Sequence, residues 1–156
     1  MLRPASRRPE VRILAIDLGT RRIGLAVSDA TETLASPRPA IERCGDRDRD
    51  HRRIAEVAAE EEAGLVLVGL PLSLDGSEGP AATAAREEVE ALRAVLDVPV
   101  DVHDERLTTV TAHRLLAEQG LDSRRRRSVV DGAAAAVLLQ AWLDGRRPST
   151  READHP

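Results

Sequence analysis

The chain has 156 residues, a formal net charge of −4 and 42% hydrophobic residues, which suits one compact domain and is too short for two large lobes. With one Trp and no Tyr or Phe it lacks a row of aromatics for stacking single strands, and its one cysteine, Cys44, excludes an internal disulfide or a cysteine-based zinc site. No apolar run approaches the roughly 20 residues of a membrane span, and no apolar signal core follows the arginines of residues 1–10, so that segment reads as a disordered tail on a cytoplasmic protein with no membrane partner.

Arg12–Asp17 is a short apolar run ending in an acid and then Gly19, the pattern of a buried strand entering a turn. Ile23–Ser28 is again strand-like, so the two form an antiparallel hairpin through Gly19–Arg22. A third strand falls within Leu34–Glu42, where Pro37 and Pro39 confine it to an irregular or edge position. The period then changes. Arg49–Ala63 reads as an amphipathic helix stopped by Gly64, Leu65–Leu70 as a strand ended by Pro71, and Leu72–Pro80 as a loop. Ala81–Leu96 reads as a helix, Val98–His103 as a strand, and Thr108–Gln119 as a helix closed by Gly120. Asp122–Arg127 is a charged connector, Ser128–Leu143 a last Ala-rich helix, and residues 145–156 a disordered tail. The order predicts a mixed α/β fold in one domain over residues 11–144.

Three acids fall at informative places. Asp17 ends the first strand, Glu105 follows the strand Val98–His103, and Asp131 lies in the first turn of the predicted last helix. Strand ends of an open α/β sheet are rigid supports for a site, and hard carboxylate oxygens suit Mg²⁺ or Mn²⁺ together with substrate phosphate. One such ion, or two about 3.5–4 Å apart, would clamp a scissile phosphodiester without any nucleophilic side chain. Each acid has a plainer reading as well. Asp17 before Leu18 and Gly19 is equally a turn residue, and Glu105 with Arg106 equally a surface ion pair. Ser128 followed by Asp131 has the spacing of an N-cap and an acid that favours a helix dipole. The four histidines lack metal-ligand spacing; only His103, beside Asp104 and Glu105, has suggestive company.

Four segments in order carry a more specific signal: DLGTRRIGLAVSD at Asp17–Asp29, GLPLSLDG at Gly69–Gly76, DERLTT at Asp104–Thr109 and VDGAA at Val130–Ala134. Together they resemble the YqgF/RuvX family, small bacterial RNase H-like proteins described as Holliday-junction resolvases and as pre-16S rRNA nucleases. The resemblance runs from about Arg12 to Leu143; Leu18 stands where Phe is common and Leu74 where Met is common. It implies a five-stranded mixed sheet, its first three strands antiparallel, flanked by helices. It also implies that Asp17, Glu105 and Asp131 form the catalytic and metal-binding triad.

Around that triad Arg22 and Arg106 would hold phosphate oxygens bidentately, or be ordinary surface arginines. Ser73 and Gly76 lie in a loop that would order on nucleic acid or remain passive, and Arg124 and Arg125 in a basic run that would meet backbone or simply be solvated. The expected activity is metal-dependent hydrolysis in structured nucleic acid, with the 5′ end of pre-16S rRNA as favoured substrate and pre-ribosomal particles as further partners. A four-way DNA junction is the alternative, which would require two active sites and hence a homodimer rather than a monomer. A non-catalytic ribosome-assembly factor is the alternative of another class. An actin-like or sugar-kinase-like phosphotransferase shares the opening Asp-x-Gly but needs a second lobe that this length does not supply.

Overall fold

The computed structural model describes residues 12–71, 79–104 and 123–146, with residues 123–131 and 146 described by backbone alone. Five strands, β1 (Arg12–Leu18), β2 (Arg22–Ser28), β3 (Ala35–Glu42), β4 (Ala63–Leu70) and β5 (Val100–Asp104), form one sheet in the order β3-β2-β1-β4-β5. β2 runs antiparallel to both of its neighbours, β1 and β3, whereas β1, β4 and β5 run parallel. The helices are α1 (Arg47–Glu60), α2 (Pro80–Val95) and α3 (Ser123–Arg146).

Period-2 alternation sends the side chains of β1 to two different cores. Leu14 and Ile16 pack with Ile54 and Ala58 of α1 and with Val89 and Leu92 of α2. Ile13 and Ala15 pack with Ala135, Leu138, Leu139 and Leu143 of α3. Both faces are covered, which is why β1 and β4 read as continuous apolar runs rather than alternating ones. Gln140 of α3 also clasps the β2–β3 connection, accepting the Ala35 N–H at 3.1 Å and donating to the Thr33 carbonyl at 3.1 Å. Gly132 lets the helix approach closely: a Cβ there would lie 3.2 Å from Pro37 Cβ and 3.3 Å from the Arg38 carbonyl oxygen.

The hairpin and the proline-bearing edge strand match expectation. Other boundaries move, for identifiable reasons. α1 starts earlier because Asp46 caps it, its carboxylate accepting the N–H groups of Asp48 at 3.1 Å and Arg49 at 3.4 Å. Its end is not at Gly64. Glu62 adopts the left-handed conformation, φ 54°, and its N–H reaches the Ala59 carbonyl at 3.1 Å. Gly64 instead lies inside β4 as the extra residue of a bulge, since Arg12 pairs with Ala63 and Ile13 with Leu65. β5 begins at Val100 and α2 ends at Val95, shifts of one to two residues.

The largest correction concerns the last helix. It begins at Ser123, so Asp122–Arg127 is not a connector over its described part, and Arg124 and Arg125 occupy the first turn of α3. Arginine is a good helix former, and a run of four offers no break before Ser128. Asp131 therefore stands more than two turns inside α3, and the reading of Ser128 as an N-cap fails. At its other end α3 continues through Gly145 to Arg146. The predicted helix Thr108–Gln119 lies outside the described residues, as do residues 1–10 and 147–156 of the predicted tails.

Candidate active site

Asp17 is half-buried, one residue before the end of β1, opposite Gly24 of β2. Its position continues the series Ile13, Ala15 and so belongs to the α3 face of the sheet. The parallel register carries this level across the sheet: Ile16 pairs with Val68 and Val68 with Val102, so Asp17 stands level with Gly69 and His103. Two strand spacings, roughly 9.6 Å, separate β1 from β5 there. β5 ends at the half-buried Asp104, immediately before Glu105 in the chain. Position 131 precedes Ala135 by four residues and Leu138 by seven, in phase with the stripe of α3 that lies on this face.

The turn after Asp17 is tightly built. The Gly19 N–H donates to the Asp17 carbonyl at 3.1 Å, and a Cβ on Gly19 would run into the Arg22 carbonyl oxygen, so only glycine fits. Arg43, just past β3, holds this turn from outside. Its Nε donates to the Gly19 carbonyl at 2.8 Å, and its own N–H to the Arg21 carbonyl at 2.9 Å. The two terminal nitrogens of Arg43 grip Glu88 of α2 at 2.9 and 3.0 Å, and His51 Nε2 of α1 shares Glu88 Oε1 at 2.9 Å. Burial pushes the Glu88 carboxyl upward, but the hydrogen bonds and charge of Arg43 and His51 prevail and leave it below its ordinary value of 4.5.

None of these three side chains stood out in the sequence. Glu88 and His51 sit in charge-rich stretches where surface exposure is the default, and the only local clue is that both fall on the apolar phases of their helices. His51 is fully buried, its ring held against Glu88. His103 is half-buried on the level of Asp17. Arg22 is half-buried at the start of β2, where it pairs with Glu42 of β3.

Asp131 is placed as a backbone position in α3, as are Arg124 and Arg125. Glu105 and Arg106, with Ser73 and Gly76 of the Gly69–Gly76 segment, lie outside the described residues. Among the described residues, which do not include Glu105 or the side chain of Asp131, no group of three acids, histidines or cysteines comes together to hold a metal ion.

The order and directions of the strands, with helices on both faces, are those of RNase H-like nucleases. Two Thermus thermophilus RuvC structures share the fold: one in complex with a Holliday junction substrate (TM-score 0.54, 18% identity, 87% of this chain and 95% of that one) and one solved as the protein (TM-score 0.52, 17% identity, 87% and 96%). The RuvX family model, described as Holliday junction resolvase, matches residues 11–145, and the chain belongs to that family. Similar proteins carry the name "Putative pre-16S rRNA nuclease". The one from Kineococcus radiotolerans is 50% identical over 141 residues, 90% of this chain and 74% of its own length. That from Anaeromyxobacter sp. strain Fw109-5 is 47% identical over 137 residues, 87% and 98%.

Proposed function

We propose that this nuclease hydrolyses phosphodiesters at the edge where β1 and β5 end, with Asp17, Glu105 and Asp131 as its catalytic carboxylates and with pre-16S rRNA as substrate. The observation that carries the reading is the half-buried carboxylate of Asp17 on a rigid strand end, clamped through the Gly19 turn. Such a support holds a ligand group within the narrow tolerance that phosphoryl chemistry needs. A single domain that runs to the end of α3 belongs to the same proposal.

The donor set fits Mg²⁺ or Mn²⁺, one or two ions: it is all carboxylate oxygen, with no thiol among the three residues. When bound, such an ion supplies Lewis-acid charge at the phosphate and eases deprotonation of the attacking water. The chain supplies the rest. The three acids hold the cation and orient the scissile group. Arg22 and Arg106 neutralise the non-bridging phosphate oxygens, and Ser73, Gly76, Arg124 and Arg125 meet flanking backbone. The protein then works in the cytoplasm, on pre-ribosomal particles.

Relatives at 46–50% identity that carry the name of a pre-16S rRNA nuclease support this substrate. The family description and the junction-bound RuvC fold favour a second reading, a four-way DNA junction cut by a homodimer. Parallel assays on precursor 16S fragments and on synthetic four-way junctions, each with Mg²⁺, Mn²⁺ and EDTA, separate the two. The first reading predicts metal-dependent cleavage of RNA by a monomer; preferential, symmetric cutting of junctions by a dimer replaces it with the second. Calorimetric titration of Mn²⁺ into the wild type and Asp17→Asn, without nucleic acid, tests the ligand assignment independently of activity.

A further inference from the structure

Beside the clamped turn, the β1–β2 turn and the β3–α1 connection enclose an open cavity of about 570 Å³. Arg21, Arg22, Arg43 and Arg47 line it, with Glu42 and Asp50. Four guanidinium groups converge here in a chain whose net charge is −4. Arg43 is committed to Glu88 and to the Gly19 carbonyl, while Arg21, Arg22 and Arg47 form no salt bridge among the described residues. Asp50 is turned to internal use, accepting the Cys44 N–H at 3.2 Å. Glu42 is exposed and lies across from Arg22.

The size is that of a ligand site, yet the charged, open lining is not that of an apolar small-molecule pocket. Forked donors match phosphate oxygens, and a carboxylate beside them accepts from sugar hydroxyls. We propose that this cavity is a subsite for the sugar–phosphate backbone of the nucleic acid flanking the scissile bond, with Arg21 and Arg47 as its phosphate contacts. It rests on the nuclease reading of Asp17. Arg22 lies two residues beyond Gly24, the partner of Asp17, hence roughly 7 Å along the strand. At about 3.4 Å of rise per nucleotide, the cavity receives backbone two to three nucleotides from the reacting phosphate. Asp17 is on the α3 face and the cavity opens beside the start of α1, so the bound strand crosses the β1–β2 turn. The Arg43 bond to the Gly19 carbonyl makes that turn the shared wall of both.

The test is binding of a fluorescent structured RNA hairpin and a fluorescent four-way DNA junction, in Ca²⁺ to suppress cleavage, over a series of salt concentrations. Arg21→Gln/Arg47→Gln is compared with Arg52→Gln/Arg53→Gln, which removes the same charge from exposed positions outside this cavity. The cavity variant is expected to bind on the order of tenfold more weakly, with the slope of log Kd on log salt reduced by about 2. The control variant is expected to shift much less. Equal losses in both, or wild-type binding by the cavity variant, overturn the subsite. If the cavity variant binds normally while Asp17→Asn abolishes cleavage, the nuclease reading stands and the subsite falls. If binding depends on Arg21 and Arg47 while Asp17→Asn cleaves as wild type, the subsite stands and the catalytic assignment falls.

Discussion

Arg43 and Glu88 meet through two parallel hydrogen bonds of 2.9 and 3.0 Å, and the third edge of the same guanidinium reaches the carbonyl of Gly19, two residues beyond Asp17. The pair ties α2 and, through His51, α1 to the turn that carries the candidate catalytic acid. Its stabilising effect is local geometry more than net folding energy, because the desolvation of both charges offsets much of their attraction.

Removing Arg43 is a different matter, since it leaves the Glu88 carboxylate buried with only His51 beside it. Arg43→Ala should destabilise the protein by about 3 kcal/mol, read from urea unfolding, and lower cleavage even at temperatures where the fold persists. Arg43→Lys keeps the charge but not the fork, and should recover stability better than activity. Equal recovery of both would show that the turn needs no fixed geometry.

Glu88 also sets a pH dependence. Its folded-state pKa is depressed, so the stabilisation is complete above the ordinary value of 4.5 and is lost as pH falls through the lower folded value. Stability measured by urea denaturation should therefore decline from about pH 5 downward, and the decline should flatten in Glu88→Gln, whose side chain does not titrate. An unchanged acid limb in that variant would assign the loss to other carboxylates.

Gly132→Ala should reverse the usual sign of a helical glycine replacement. In an exposed helix interior alanine gains about 1 kcal/mol. Here the new Cβ meets Pro37 and the Arg38 carbonyl at 3.2–3.3 Å, and neither a proline ring nor a strand backbone yields readily. A net loss of about 1 kcal/mol is expected, with reduced activity because the neighbouring residue is Asp131. A thermal melt showing stabilisation would mean that α3 sits more loosely on β2 and β3.

Glu62→Gly should stabilise the protein by about 1 kcal/mol. A side chain at φ 54° carries a left-handed penalty that glycine lacks, and Glu62 is exposed, so little packing is lost. Chemical denaturation of the variant is a sufficient check.

The strand pattern was legible because β1, β2 and β4 are short apolar runs between glycines, prolines and acids, and the edge character of β3 because prolines cannot serve a central ladder. What misled were residues whose local signals tertiary structure overrides. Gly64 resembles a helix stop, yet Glu62 accepts the strained conformation and leaves Gly64 to a strand bulge. Ser128 resembles a cap, yet the arginines before it prolong the helix. Asp17 was visible as a strand-end acid. The Arg43–Glu88–His51 clamp was not, because its members lie 8 to 45 residues apart and meet only once the sheet and both helices are assembled.

The most direct measurement is cleavage of precursor 16S fragments in Mg²⁺ or Mn²⁺ by the wild type and by Asp17→Asn, with circular dichroism and a thermal melt confirming equal folding. The account predicts metal-dependent cleavage by the wild type and a loss of at least a thousandfold in the variant, whose neutral amide cannot serve as an anionic ligand. Undiminished cleavage by a folded Asp17→Asn would contradict it.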